Sequence, residues 1–274
     1  MPAYRRLPGV HDRATRRAVE VNWRNLALGH EVFETSGATF VRNRLLPAIY
    51  DANFMFAITA SEPAEVDALL TRAATEYAHA ARLTFRVDQL TPTAFETRLT
   101  QEGYERREAL VLLLDGPLRH EPRRFDIRQI EDESTWRMYS ELKFLDWQED
   151  AARTKGNPED RTIAQGFASS SRLKCPPVQY VMAYEDGQAV GYCSGWEGVE
   201  GVGQVEDLFV HPAYRHRGIA TALLHHSVRA ARARGAGPVV IVVDPRNAAK
   251  DLYAALGWQA VAICRQYGKD VLST

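Results

Sequence analysis

The sequence predicts an α/β protein, and three observations predict it. The C-terminal half alternates strand-like and helix-like patterns in the order β-α-α-β-β-β-α-β-α-β. Within it, Pro238-Val-Val-Ile-Val-Val243 is short and wholly apolar, as expected of a strand buried on both faces. Each half also ends in apolar strand, helix, Gly-aromatic pair and strand. Gly103-Tyr104 answers Gly257-Trp258, a faint internal duplication.

The elements follow in order. Residues 12 to about 30 form a helix candidate, and 31–35, 38–42 and 54–58 read as strands. Residues 62–79 read as a helix with Pro63 in its first turn, where a missing N–H is harmless. Then come a strand over 82–87, a helix over 92–101 and a strand over 104–114, whose end, 110–114, is apolar. Asp115-Gly-Pro-Leu-Arg-His-Glu-Pro122 breaks the pattern and marks a domain boundary. The expected division is therefore 1–115, a linker at 116–122, and 123–274.

Beyond the linker, 125–130 alternates like a strand. Residues 131 to about 147 place Trp136, Tyr139, Leu142, Phe144 and Leu145 at helical spacing, with Asp132 or Ser134 as cap. Residues 147–157 are polar and read as a loop, after which Pro158 opens a short helix through Phe167. The strands 180–184 and 189–193 flank Glu185-Asp-Gly-Gln188, a hairpin signal. Residues 204–210 form a third strand. The helix of 218–234 gathers Ala220, Leu223, Leu224, Val228 and Ala231 on one face and stops at Gly235. A helix over 248–256 follows the apolar strand, and closing strands start at Trp258.

Composition narrows the function. A chain of 274 residues fits one large domain or two modest ones. Its net charge of −1 argues against nucleic-acid binding or membrane binding through bulk charge. No apolar run approaches the length of a membrane span, and the first eight residues lack the apolar core of a secretory signal. Cys175, Cys193 and Cys264 are far apart and form no Cys/His cluster, so neither a structural zinc nor any other metal is expected. Their odd number fits a reducing cytoplasm.

Chemistry concentrates in residues 205–224. A strand runs through a short turn into a helix opening Arg215-His-Arg-Gly-Ile-Ala220. Such a helix start offers free N–H groups and the positive end of the dipole to an anion, above all a phosphate. Gly218 allows close approach, small Ala220 and Thr221 leave room, and Arg215, His216 and Arg217 add positive charge. The segment lacks the Gly-Lys-Ser/Thr of a P-loop and the GxGxxG of a dinucleotide site.

These residues resemble the acetyl-CoA-binding core of the GNAT superfamily of N-acetyltransferases. Arg215, Gly218 and Ala220 match its Gln/Arg-x-x-Gly-x-Gly/Ala signature. Leu208, Val210 and Pro212 match the preceding element, and Asn247, Tyr253, Gly257 and Trp258 match the second motif. The resemblance covers about 125–274. It implies the acyl-CoA N-acyltransferase fold, a mixed central sheet flanked by helices. The first half, which lacks the signature turn, is expected to be a degenerate GNAT-like domain beside an active one.

The resemblance further implies that the third and fourth central strands splay and that the pantetheine arm of acetyl-CoA lies between them. Leu208 and Val210 then pair with its amides. Arg215, His216, Arg217, Gly218, Ile219, Ala220 and Thr221 hold the pyrophosphate, and Asn247 and Tyr253 complete the cofactor site. An N–H near Phe209 or Val210 polarises the acetyl carbonyl. The acceptor is a primary amine on a small molecule or a protein and must lose a proton to attack. Glu206 and Asp207 are the nearest candidate bases; successive strand side chains face opposite ways, so at most one serves, and Glu206 is preferred. Tyr253 is the candidate acid for the departing thiolate. The competing expectations are a non-catalytic acyl-CoA-binding module, a longer-chain acyl donor, and a tandem synthase resembling mycothiol synthase. The acceptor's identity and the oligomeric state stay open.

Overall fold

The computed structural model describes residues 13–154 and 157–271, so the first residues, read above as lacking a secretory signal, lie outside them. Two compact units emerge. The first gathers the described residues up to Leu112, Val242–Leu252 and those from Gln259 on; the second holds Leu113–Ile241 and Tyr253–Trp258.

The first unit is built from α1 (Arg13–Ala27), β1 (Glu31–Thr35), β2 (Ala38–Arg42), β3 (Phe54–Phe56), α2 (Pro63–Glu76), β4 (Arg82–Val87), α3 (Thr93–Gln101) and β5 (Glu105–Leu114). It also takes β11 (Gln259–Asp270), and its strands run in the order β1-β2-β3-β4-β11-β5. β11 lies antiparallel to β4, from Arg265 opposite Val87 to Asp270 opposite Arg82. Tyr267 of β11 joins Phe40, Tyr77, Phe85, Phe95 and Leu99 in one buried cluster. The closing segment is thus one twelve-residue strand where several strands were expected.

The second unit contains β6 (Asp126–Gln129), α4 (Glu133–Thr154), α5 (Arg161–Leu173), β7 (Gln179–Glu185), β8 (Gln188–Val199), β9 (Val202–Val210), a 3-10 turn at Pro212–Tyr214 and α6 (Ile219–Ala233). The strand β10 (Val239–Val243) begins in it, and the helix α7 (Ala249–Leu256) ends in it. The order β10-β9-β8-β7-β6 is antiparallel from β6 through β9. β9 and β10 are parallel and in register at Val239 with Gly203 and Val240 with Gln204, the start of β9. The expected hairpin forms at Asp186-Gly187, both with positive φ, as a primed turn needs.

Two boundaries differ from expectation. The polar run after Trp147 is no loop but the continuation of α4 to Thr154. No Gly or Pro interrupts it before Gly156, and Ala151 within it is buried. The second helix starts at Arg161, because Asp160 caps it by accepting from the Thr162 N–H at 3.0 Å, and Pro158 stays in the turn before it. Of the two cap candidates of α4, Asp132 accepts the Thr135 N–H at 2.8 Å. That bond and the nearby hydroxyls hold its carboxyl down at about 2.

Candidate active site

At the C-terminal end of β9 the chain turns into α6 through Gly218, which has φ 94° and acts as N-cap without a side chain. The first bond of α6 runs from the Ala222 N–H to the Gly218 carbonyl at 3.0 Å. The N–H groups of Ile219, Ala220 and Thr221 therefore precede the helical ladder. Ile219 is buried and anchors the turn, while Arg215, His216 and Arg217 are exposed around it.

Upstream, β9 carries a bulge. Tyr192 opposes Phe209 and Ser194 opposes Glu206, so Asp207 and Leu208 together face Cys193. Asp207 has φ 61°. The cradle and the bulge thus lie on one strand–turn–helix connection, downstream of the point where β9 is in register with β10.

The sequence and the fold have known counterparts. Residues 129–258 match the Acetyltransferase (GNAT) family. The chain carries a GNAT domain. Among solved structures, it is similar to a GCN5-related N-acetyltransferase from Kribbella flavida, at 14% identity over 96% of this chain and 98% of that one, TM-score 0.66. A GCN5-related N-acetyltransferase from Sphaerobacter thermophilus shares 19% identity over 85% and 76%, TM-score 0.58. A tandem GNAT protein from the clavulanic acid biosynthesis pathway shares 14% over 87% and 80%, TM-score 0.57. At these identities the likeness is one of fold. No curated protein matches the sequence.

Within the GNAT domain, a buried polar network lies behind the bulge. The Asp207 carboxylate accepts from the Lys143 ammonium and the Tyr139 hydroxyl, both on α4. Lys143 also reaches Asp146 at 3.3 Å, and Asp146 accepts the Tyr192 hydroxyl at 2.8 Å. Burial alone raises the Asp207 carboxyl, but the adjacent Lys143 charge outweighs it and keeps the group below the usual carboxylate range. Asp146 is pushed up, by burial first and then by the Asp207 charge, against the pull of Lys143.

Asp207 is therefore held ionised and fully engaged, which suits an anchor and not a base. Glu206 is half-buried, accepts from the Gln204 amide at 3.3 Å, and lies 4.0 Å from the Lys174 ammonium. Both carboxylates find their cations on the α4 and α5 side.

Tyr253 of α7 is buried, packs edge-on to Trp258, and donates no hydrogen bond among the described residues. Burial pushes its phenol well above the ordinary value, with the Cys193 and Asp146 groups adding to the shift. Arg215 is not idle. Its Nε donates to the Val210 carbonyl at 2.9 Å, and one Nη holds both oxygens of Glu149 at 2.8 Å. Arg217 pairs with Glu185 at 2.9 Å. Asn247 accepts the Ala249 N–H at 2.9 Å and so starts α7. Leu208 is half-buried, Phe209 and Val210 are buried, and Phe209 packs on Tyr192.

In the first unit, the helix α2 has no open end. The Glu65 carboxylate accepts from the N–H groups of Ser61 and Glu62 at 3.2 and 3.3 Å. An anion there faces a carboxylate already in place.

Sequence reasoning missed Tyr139 and Lys143 as site residues. A signal existed. They stand four apart on one face of α4, and Lys is rare in a chain where the basic residues are nearly all Arg.

Proposed function

We propose that this chain transfers an acetyl group from acetyl-CoA directly to a primary amine. The observation that carries the reading is the open start of α6, with its three unladdered N–H groups and a glycine N-cap, placed where β9 ends. The match of residues 129–258 to the GNAT family points to acyl transfer.

Gly218, Ile219, Ala220 and Thr221 hold the pyrophosphate through the backbone, with Arg215, His216 and Arg217 adding charge. Leu208 and Val210 pair with the pantetheine amides, and Asn247 contributes from the start of α7. Glu206 takes the proton of the attacking ammonium, directly or through water. The amine nitrogen attacks the thioester carbon, and the C–S bond breaks. Tyr253 gives its proton to the departing thiolate and is restored from solvent. A thiol is the stronger acid, about 8.5 against about 10 for an ordinary phenol, and burial raises Tyr253 further, so the transfer runs uphill and is drawn forward by solvent returning a proton to the tyrosine. The self-capped α2 supports one donor site per chain, in the C-terminal half, with the first half as a degenerate GNAT-like partner. The acceptor is a small-molecule or protein amine.

The test is a thermal shift with acetyl-CoA, with ATP and with buffer alone, for the intact protein and for Gly218→Asp. A ligand that binds only the native state raises the melting temperature. The expected result is a rise with acetyl-CoA alone that vanishes in the variant. No rise in the intact protein refutes the reading.

A further inference from the structure

Asp207 holds a backbone conformation inside a strand that most residues with a Cβ avoid. Its φ of 61° lies in the left-handed region, and it is not a glycine. The ladder beside it is interrupted as well, for the Glu206 carbonyl is met by the Ser194 hydroxyl at 3.0 Å. The extra residue re-aims the peptide groups that follow it, Leu208 and Phe209. Phe209 is one of the two residues whose N–H the family resemblance sets beside the donor's acyl carbonyl.

The Asp207 side chain is held by two donors. Lys143 and Tyr139 both donate to the Asp207 carboxylate. Each is fixed by a second partner. The Tyr139 hydroxyl lies 2.9 Å from the Ser171 oxygen on α5, and Lys143 is 3.3 Å from Asp146. Lys143 and Asp207 expose only 12% and 19% of their side chains, so solvent does little to loosen the pair. An isolated surface ion pair has no such hold on the backbone.

We infer that Lys143, Tyr139 and Asp207 form a clamp that holds the left-handed turn of β9, so that the N–H groups following it point at the acyl carbonyl of the donor. The inference rests on the acetyl-transfer reading and assigns its electrophilic side to a support in α4. The three are positioning residues, and none of them touches the substrate. A donor held at a fixed angle stabilises the developing oxyanion without reorganising, which is where its catalytic value lies.

The experiment compares the intact protein, Asp207→Ala and the double variant Lys143→Met with Asp207→Gly. It reads the infrared carbonyl band of bound acetyl-CoA labelled at the carbonyl carbon, the dissociation constant of CoA, and kcat. Asp207→Ala leaves Lys143 its second carboxylate, Asp146, so the ammonium is not stranded. In the intact protein the band shifts to lower frequency on binding. In Asp207→Ala that shift is lost and kcat falls on the order of 10²-fold, the effect of losing one oxyanion donor. CoA itself binds within threefold, because the cradle on α6 is untouched. In the double variant glycine adopts the left-handed turn without the clamp and recovers part of the band shift and about tenfold in kcat over Asp207→Ala. An unshifted difference between the intact protein and Asp207→Ala overturns the clamp while leaving acetyl transfer standing. So does a glycine variant no better than alanine. Failure of the intact protein to bind acetyl-CoA overturns both.

Discussion

Tyr253 combines burial with a hydroxyl that donates to no described residue, and this fixes its protonation state. Its pKa is raised above the ordinary phenol value of about 10, so the phenol is intact at lower pH and is lost only as pH rises through the raised value. Tyr253→Phe is expected to lower kcat by roughly 10²-fold or more at neutral pH, with the acetyl-CoA KM little changed. A basic limb of the pH–rate profile centred near pH 8 and abolished by Tyr253→Phe would contradict this assignment. Arg215 supports a second prediction. Its fork is occupied by Glu149, both groups being substantially exposed, at 39% and 32%, so the pair is worth about 0.2–1 kcal/mol. Incoming phosphate must displace that carboxylate. Glu149→Gln is therefore expected to tighten acetyl-CoA binding by about two- to fivefold, read by calorimetry at fixed ionic strength. Unchanged or weaker binding would show that Arg215 does not reach the phosphate. At this scale the sequence was legible where backbone chemistry decides, as at Gly218 and the turn before it. It was not legible at Asp207, whose partners lie more than sixty positions away on α4.

Elements were legible where a local signal ends them. β1, β2 and β4 fall on their predicted residues, and Asp-Gly turns β7 into β8. The end of α4 was not legible. Polarity suggested a loop, but polarity also describes the solvated face of a helix, and only a breaker separates the two. The closeness of α6 to β8 was equally hidden. A Cβ at Gly195 would lie 2.9 Å from the Ser227 carbonyl oxygen and 3.3 Å from the Ser227 Cβ. Both neighbours belong to a regular helix, so neither moves cheaply. The Gly195 carbonyl also accepts the Arg234 guanidinium at 2.9 Å, which ties the strand to the end of α6. Gly195→Ala is expected to destabilise the protein by on the order of 1–3 kcal/mol, seen as a lower denaturation midpoint at unchanged slope. A wild-type midpoint would mean that α6 slides over β8 freely, and the cradle at its start would then lack a rigid base.

The strand assignment of β11 follows from its pattern, but its partner does not, because pairing between distant segments leaves no local trace. β11 follows Trp258 in the chain, yet it is in register with β4, more than 170 positions earlier. Residues from Gln259 on cluster with the first unit, although the linker at 116–122 suggested that they belong with the second half. Tyr267 ties the strand in twice. Its ring lies in the cluster of Phe85 and Phe95, and its hydroxyl donates to Glu96 at 3.1 Å. Arg82 adds a 2.6 Å pair with Asp270. Ending the chain after Trp258 removes all of this and exposes one edge of β4. Loss of one buried aromatic ring alone costs about 3–5 kcal/mol, against a total stability of about 5–15 kcal/mol for a typical domain. The shortened chain is therefore expected to lose its first unit, and hydrogen exchange should show β4 and α3 unprotected. A fragment limited to 1–115 should fail in the same way and recover protection in β4 when 257–271 is supplied as a peptide. Full protection of β4 without that segment would show that the strand is an accessory to the first unit. Fragments cut at the linker would then be fair tests of each half alone.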